Sequence, residues 1–250
     1  MIHHRFPSAI MHARFAACGV PLTLAAIVAG SIACSRDPAP QPVQQTAASP
    51  APANAIPAAE RPPSSLVQIG ELAKSLFDAA DASDWSSAAD SMQSLSESAS
   101  ELPATLPKPD LVAQLRSRLD DVKQSVGMHQ RFETMDAANG ITRLVADLSG
   151  EFQPQVPYEA VMLGYYGRQL ELGIASTKLA TLTQASTDLR STWNRIEPTI
   201  ERRGHIDDAR RFTDIVVQLE GARRPADFVA PTRAELSEAD RIERLFRSPT

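Results

Sequence analysis

The chain has 250 residues, and residues 65–250 are rich in Ala, Leu, Ser, Glu, Asp, Arg and Gln, a mixture that favours helices. Residues 1–34 contain Arg5 and Arg14 but no acidic residue, so the rest of the chain carries 23 basic and 30 acidic side chains. This negative balance repels phosphate backbones and excludes nucleic acid as an expected partner. Both cysteines, Cys18 and Cys34, lie in the first 34 residues, so the remaining chain has no disulfide and no thiolate site.

The N-terminal residues have the layout of a secretory signal. Basic residues come first, residues 15–35 hold no Asp, Glu, Lys or Arg, and the most apolar stretch lies at 22–29. A basic start, an apolar middle and a small-residue end are the three parts of an export signal. We therefore predict that residues 1–33 are a signal peptide and that the rest of the chain is exported.

The signal ends in Ile32-Ala33-Cys34, which resembles the lipobox of bacterial lipoproteins. The resemblance implies that Cys34 is lipidated and that the protein is held at a membrane of the cell envelope. Ser31 stands where Leu is usual, so simple cleavage after Ala33 and an uncleaved anchor stay open as alternatives. Ser35 follows the cysteine in place of the Asp that favours inner-membrane retention in such proteins. The expected location is therefore the outer membrane, facing the periplasm.

A linker follows, which we place at 34–64 together with the lipidated cysteine. Residues 35–64 hold eight Pro and eight Ala. Proline removes backbone donors and favours extended polyproline conformations. We predict a disordered tether whose thirty residues reach at most about 90 Å.

Apolar residues recur at alternating steps of three and four from residue 66 onward, which is the helical period. The stripes lie at 66–80, 85–102, 112–126, 138–152, 161–172, 182–196, 206–219 and 236–246. Proline residues separate several of them, and the sixth is expected to end near Pro198. No alternating run of β-branched residues competes. The predicted fold is therefore all-α, a bundle of about eight helices over residues 65–250.

The two halves of this domain are alike in sequence. A shift of 94 residues superimposes many apolar positions, among them Ile69 with Leu163, Gly70 with Gly164, Leu76 with Leu170 and Leu95 with Leu189. The later helices align at a slightly larger shift. The pattern predicts two duplicated four-helix units, 66–152 and 157–247, with antiparallel neighbours.

His129 is the first candidate for ligand binding. It continues the third stripe by a further step of three and is therefore expected to point inward. Glu133 lies four residues later, and Asp136 follows. A histidine and a carboxylate four apart on a helix can share a metal ion, whose identity stays open. The alternative is a core or helix-end histidine that is bonded to a neighbour.

Arg168 is the second candidate, because it falls on the fifth stripe between Tyr165 and Leu172, where an apolar residue is expected. A charge that points into a bundle needs a partner, and the candidates are Glu171 and the two carboxylates near His129. The alternative is an arginine that pairs once and extends to solvent. The predicted polar pocket between the two units consists of His129, Glu133, Asp136, Asn139, Tyr165, Arg168 and Glu171.

Three segments resemble a group of exported bacterial proteins in which a helical domain follows a lipoprotein signal. They are MDAAN at 135–139, FQPQVP at 152–157 and YGRQLE at 166–171. That group has no assigned activity. The resemblance therefore implies an exported helical domain and supplies no catalytic residue.

The sequence contains no motif that indicates catalysis or a cofactor. The helical hairpins resemble those of periplasmic four-helix cytochromes, but the last stripe has no histidine and the chain has no CxxCH, so we predict no haem or other cofactor. A GxSxG, a phosphate loop and a nucleotide fingerprint are also absent. We expect a non-enzymatic binding or interaction module of the cell envelope, with a membrane anchor and an envelope protein as partner. The alternative is a metal- or small-ligand-binding bundle.

Overall fold

The computed structural model describes residues 61–247, which form eight helices and no strand. This confirms the predicted all-α class. The helices are α1 (Ser64–Asp81), α2 (Trp85–Ser100), α3 (Pro109–Gly127), α4 (Arg131–Ser149), α5 (Tyr158–Ala175), α6 (Leu179–Arg202), α7 (Ile206–Gly221) and α8 (Pro225–Arg247). None of these described helices is long and apolar enough to cross a membrane. The predicted signal peptide, Cys34 and nearly all of the linker lie outside the described residues.

Helices α1 to α4 enclose the first hydrophobic core. The predicted stripe of α1 is fully buried at Leu66, Ile69 and Leu76, which belong to one cluster with apolar side chains of α2, α3 and α4. Helix α1 packs against α2 and α4, and α3 packs against α2 and α4. The four helices therefore form a closed ring of neighbours around apolar stripes, which is the packing expected of a bundle.

Helices α5 to α8 repeat this arrangement around a second core. Helix α5 packs against α6 and α8, and α7 packs against α6 and α8. Aromatic side chains are more prominent here, because Trp193, Phe212 and Phe228 are almost completely buried. Trp193 also donates a hydrogen bond from Nε1 to Thr213 Oγ1 at 2.9 Å. The indole thus buries its rings and still satisfies its polar group.

The bounds of the helices follow the sequence shift between the two halves. Helices α1 and α5 begin and end 94 residues apart, and α2 and α6 begin at the same separation. The turn between α1 and α2 has a positive φ at Ser83, and the turn between α5 and α6 has one at Thr177, again 94 residues later. The duplication stays a prediction about origin, but the two halves have corresponding helices and turns.

Helix α5 joins the two halves. Ten of its 18 residues are buried, and Ala175 is its only exposed residue. Leu172 contributes to the first core, whereas Leu163 and Leu170 contribute to the second. Met162 and Tyr165 pack on Ala146 of α4. A helix that is apolar on several faces belongs in the interior, and α5 has that place here.

The predicted end of the sixth helix near Pro198 is wrong, because α6 continues to Arg202. Pro198 is exposed, and so is Asn194, whose carbonyl would accept the hydrogen bond that proline cannot donate. Water can therefore satisfy this carbonyl. Ile196 and Ile200 on the opposite face are buried and hold the helix on the second core.

Candidate functional site

The structure does not place His129 inside the bundle. Helix α3 ends at Gly127, so the helical period no longer applies at His129, which lies in the turn before α4 with a φ of 53°. The side chain is exposed and stacks on the ring of Trp85, with 4.8 Å between ring centroids. The expectation that His129 points inward is therefore wrong. The residue lies at the surface, at one end of the first half.

The carboxylates near His129 also stay outside a pocket. Glu133 is exposed, and Asp136 lies 3.7 Å from Arg118 in an ion pair at the surface. Within residues 61–247, no group of three or more His, Cys, Asp or Glu side chains is arranged to hold a metal ion. The geometry of the described part therefore gives no support to a metal site at His129.

The remaining predicted pocket residues lie on α4 and α5. Asn139 is fully buried and donates from Nδ2 to the backbone oxygen of Tyr165 at 3.1 Å. This bond fixes α4 against α5, and the Asn139 Oδ1 atom has no hydrogen-bond partner among the described residues. Asn139 thus joins the two halves, and an unsatisfied buried oxygen is a place where an ordered water is expected.

Arg168 is buried as predicted from its position on the stripe, but its surroundings differ from the prediction. The guanidinium lies over the ring of Phe77 at 5.6 Å and its Nη2 is 4.0 Å from an oxygen of Asp78, both on α1. Its Nη1 donates a hydrogen bond of 3.3 Å to the backbone oxygen of Gly164. Glu133 and Asp136 are not its partners, because they lie toward the surface of α4.

Glu235 on α8 faces Arg168 and was not anticipated. It is fully buried, and neither carboxylate oxygen has a hydrogen-bond partner among the described residues. Burial raises the pKa of the Glu235 carboxyl well above its usual value, and this favours the neutral acid. Gly167 permits the approach, because a Cβ at that position would overlap the carboxylate. The sequence signal was present, since Glu235 lies one helical turn before the buried Ala239.

Glu171 lies one turn after Gly167 on α5 and is only partly buried. Burial raises its pKa to about 7, and the negative charge of Asp81 adds to the rise. The Arg168 guanidinium acts in the opposite direction. Glu171 therefore titrates close to neutral pH, unlike an ordinary surface glutamate.

A second buried pair joins the halves farther along α1 and α8. Lys74 Nζ donates to both oxygens of Glu243, at 2.7 and 2.6 Å, and both side chains are buried. Arg247 Nη2 donates to the same carboxylate at 2.9 Å and also to Glu71. We call the line of charged residues between α1, α5 and α8 the charged seam; its members are Glu71, Lys74, Asp78, Arg168, Glu171, Glu235, Glu243 and Arg247.

A groove of about 560 Å³ opens between the halves beside the Lys74–Glu243 pair. We call it the interhalf groove. Its apolar lining comes from α1, α4, the connection between α4 and α5, and the start of α5. These residues include Val67, Val145, Ala146, Pro154, Val156, Tyr158 and Val161. The groove has the size and the largely apolar lining of a small-molecule site.

The charged lining of the groove lies on the side where α8 ends. Lys74, Glu71 and Arg247 are bonded to one another through the seam, and all three line the groove. Gln155 Nε2 donates a hydrogen bond of 2.9 Å to the backbone oxygen of Arg247. This bond holds the connection between α4 and α5 against the end of α8. Arg61 also lines the groove and is exposed. The lining of the groove therefore combines apolar side chains with three basic ones and one acidic one.

Comparisons with models of known protein families, with characterised proteins and with solved structures gave no match.

Proposed function

We propose that the protein is an exported, membrane-tethered binding module of the cell envelope that holds a small ligand in the interhalf groove. The observation that carries this proposal is the groove itself, a concave site of about 560 Å³ with a largely apolar lining and a few polar groups. Sites of this kind bury a small ligand and orient it by the polar groups.

The position of the groove agrees with a tethered binding module. Arg61 and Pro62, which lie three and two residues before the start of α1, are part of its lining. The Pro- and Ala-rich linker therefore enters the domain beside the groove. A tether of this composition would hold the ligand site within about 90 Å of the membrane surface.

Native mass spectrometry of the protein purified from its own membranes tests the binding part of the proposal. Val67 on α1 is 47% exposed in the groove, so Val67→Trp places a large side chain in the space that a ligand would occupy. Val217 on α7 is 56% exposed and is not part of the groove lining, which makes Val217→Trp the matched control. We expect a bound small-molecule mass in the wild type and in Val217→Trp, and its loss in Val67→Trp. A ligand mass that all three proteins retain would contradict the groove as the binding site.

Mass spectrometry of the same protein after denaturation tests the tether separately. We expect a mature chain that begins at Cys34 and carries acyl groups on that residue. The variant Cys34→Ser is expected to leave the membrane fraction. An unmodified chain that begins at Cys34 would contradict the anchor and leave the binding site intact.

A further inference from the structure

We infer that the ligand of the interhalf groove is a single-chain amphiphile with an anionic head, such as a fatty-acid carboxylate or an alkyl phosphate. The inference rests on the proposed function and specifies its ligand class. Three features of the groove carry it: the apolar wall that its valines form, the excess of positive charge among its charged lining residues, and the hydrogen-bond donors that stay free on these residues.

The apolar wall fits a hydrocarbon chain. Val145, Val156 and Val161 line it together with Val67 of α1, and Val67 is about half exposed although it is a large hydrophobic side chain. Gly70 lets α1 approach α4 closely beneath the groove, since a Cβ there would lie 3.1 Å from Val145 Cγ1. An apolar chain that covers this wall would remove its surface from water, which is favourable in proportion to the area covered.

The charged wall favours an anion. The charged lining comprises three cations, Arg61, Lys74 and Arg247, and one anion, Glu71. Glu243 beneath the wall neutralises one further positive charge through Lys74. A net positive charge is left on this wall, although the exported chain as a whole is acidic. A local field of this sign attracts and orients an anionic group.

Arg247 has donors left for such a head group. In the bonds that the structure shows for it, only Nη2 donates to carboxylates, namely those of Glu71 and Glu243. A guanidinium carries five N–H groups in a planar fork, and carboxylate and phosphate match that fork. Arg61 makes no ion pair within the described residues and lies on the same groove. The two arginines can therefore bind a carboxylate or phosphate while the buried Lys74–Glu243 pair stays intact.

Isothermal titration of the mature chain carrying Cys34→Ser, which needs no detergent, tests this ligand class. The probes share one alkyl chain and differ in the head: dodecanoate, dodecyl phosphate and dodecyltrimethylammonium, each below its micelle concentration. We expect one site per chain for the two anions and at least about tenfold weaker binding of the cation. A tighter complex with dodecanoate would indicate free fatty acids as the source, and one with dodecyl phosphate a phospholipid-type head.

Variants test which residues of the groove bind the head group and which bind the alkyl chain. Arg247→Gln and Arg61→Gln are expected to weaken both anions about five- to tenfold and to leave the cation unchanged, whereas Arg210→Gln, at an exposed arginine of α7 away from the groove, should change nothing. Val67→Trp should abolish binding of all three probes, and Val217→Trp should not. Equal affinity for the anionic and cationic probes, both lost in Val67→Trp, would overturn the ligand class and leave the proposed function. Dodecanoate binding that Val67→Trp does not change would overturn the groove as the site.

Discussion

Two buried cations occupy corresponding positions in the two halves, yet their environments differ. Lys74 on α1 and Arg168 on α5 are 94 residues apart, and each faces a buried glutamate of α8. Lys74 donates two short hydrogen bonds to Glu243, whereas Arg168 donates only a long one to a backbone oxygen, and the Glu235 carboxylate has no hydrogen-bond partner in the described part of the chain. The buried glutamate at the Lys74 end of the charged seam thus has hydrogen-bond partners, whereas the one at the Arg168 end has none among the described residues.

This difference has a physical consequence for each end. A buried ion pair with good geometry keeps both groups charged, because the mutual attraction offsets the lost hydration. A buried carboxyl without a hydrogen bond raises its pKa and becomes neutral instead. We therefore expect the Lys74–Glu243 pair to hold α8 to α1 beneath the groove. At the other end of the charged seam, we expect the carboxyl groups near Arg168 to change their protonation with pH.

The largest effect is expected from Glu243→Gln, which leaves the buried Lys74 without its main counter-charge. The free energy of unfolding should fall by about 3–5 kcal/mol, as is typical when one partner of a buried pair is removed. Urea denaturation measures it. The double variant Lys74→Met with Glu243→Leu removes both charges and should recover most of the loss. If Glu243→Gln lowers the free energy of unfolding by less than about 1 kcal/mol, the Lys74–Glu243 pair is not the main stabilising contact at this end of the charged seam.

The second largest loss of stability is expected from a substitution of Gly167, the residue that allows Glu235 to approach α5 closely. Ala73 occupies the position of α1 that corresponds to Gly167, and we expect Gly167→Ala to destabilise by about 1–3 kcal/mol because the new methyl overlaps the carboxylate and Leu236. Thermal unfolding measures the change. The matched control is Gly164→Ala on the same helix, whose Cβ would lie 3.3 Å from Arg168 Nη1 and 3.8 Å from Glu243 Oε1, both at the far ends of long side chains. There the better helix propensity of alanine should make the change neutral or stabilising, and equal losses at both positions would contradict the tight approach of α8 at Gly167.

Glu171 should make stability depend on pH. Its pKa is raised to about 7 in the folded protein, so the folded state binds a proton that the unfolded state has already released. The stabilisation is fully present below about pH 4.5 and is lost as the pH rises to about 7; with solvent screening it amounts to about 1–2 kcal/mol. Urea denaturation between pH 4 and 8 should show a decline that Glu171→Gln reduces. An identical pH profile in the variant would contradict the raised pKa.

The smallest effect is expected from Glu235→Gln. A neutral buried acid and a glutamine have nearly the same shape and charge, so the free energy of unfolding at neutral pH should change by less than about 1 kcal/mol. Measured beside Glu243→Gln under the same conditions, this variant separates the two ends of the seam. A loss as large as that of Glu243→Gln would show that Glu235 is ionised and paired with Arg168.

The sequence was sufficient to predict the fold class and much of the buried surface. Leu66, Leu76, Leu115 and Leu189 lie on predicted stripes and are fully buried, because a three-and-four spacing places side chains on one face of any helix. The helical spacing did not predict burial correctly at the ends of helices. His129 lies just past the end of α3, and Ile206 is the first residue of α7 and is 52% exposed.

The site was less accessible to sequence reasoning. Arg168 was identified because a charge interrupts an apolar stripe, and this signal depends only on local periodicity. The approach of Glu235 to Arg168 and the shape of the groove depend on how α8 lies against α5 and α1, which the sequence pattern alone does not specify. Glu235, Ala239 and Ile242 follow the helical period, and Glu235 directly precedes Leu236, where the predicted stripe begins, so the same spacing places the glutamate on the buried face.

Nuclear magnetic resonance of valine methyl groups tests most directly that the interhalf groove is the ligand site. The mature chain with Cys34→Ser is labelled at valine methyls and titrated with dodecanoate. We predict saturable shifts at Val67, Val145 and Val161, which line the groove, and unchanged signals from Val216 and Val217 on α7. Shifts confined to the α7 valines, or no shift at the three groove valines at saturating dodecanoate, would contradict the claim.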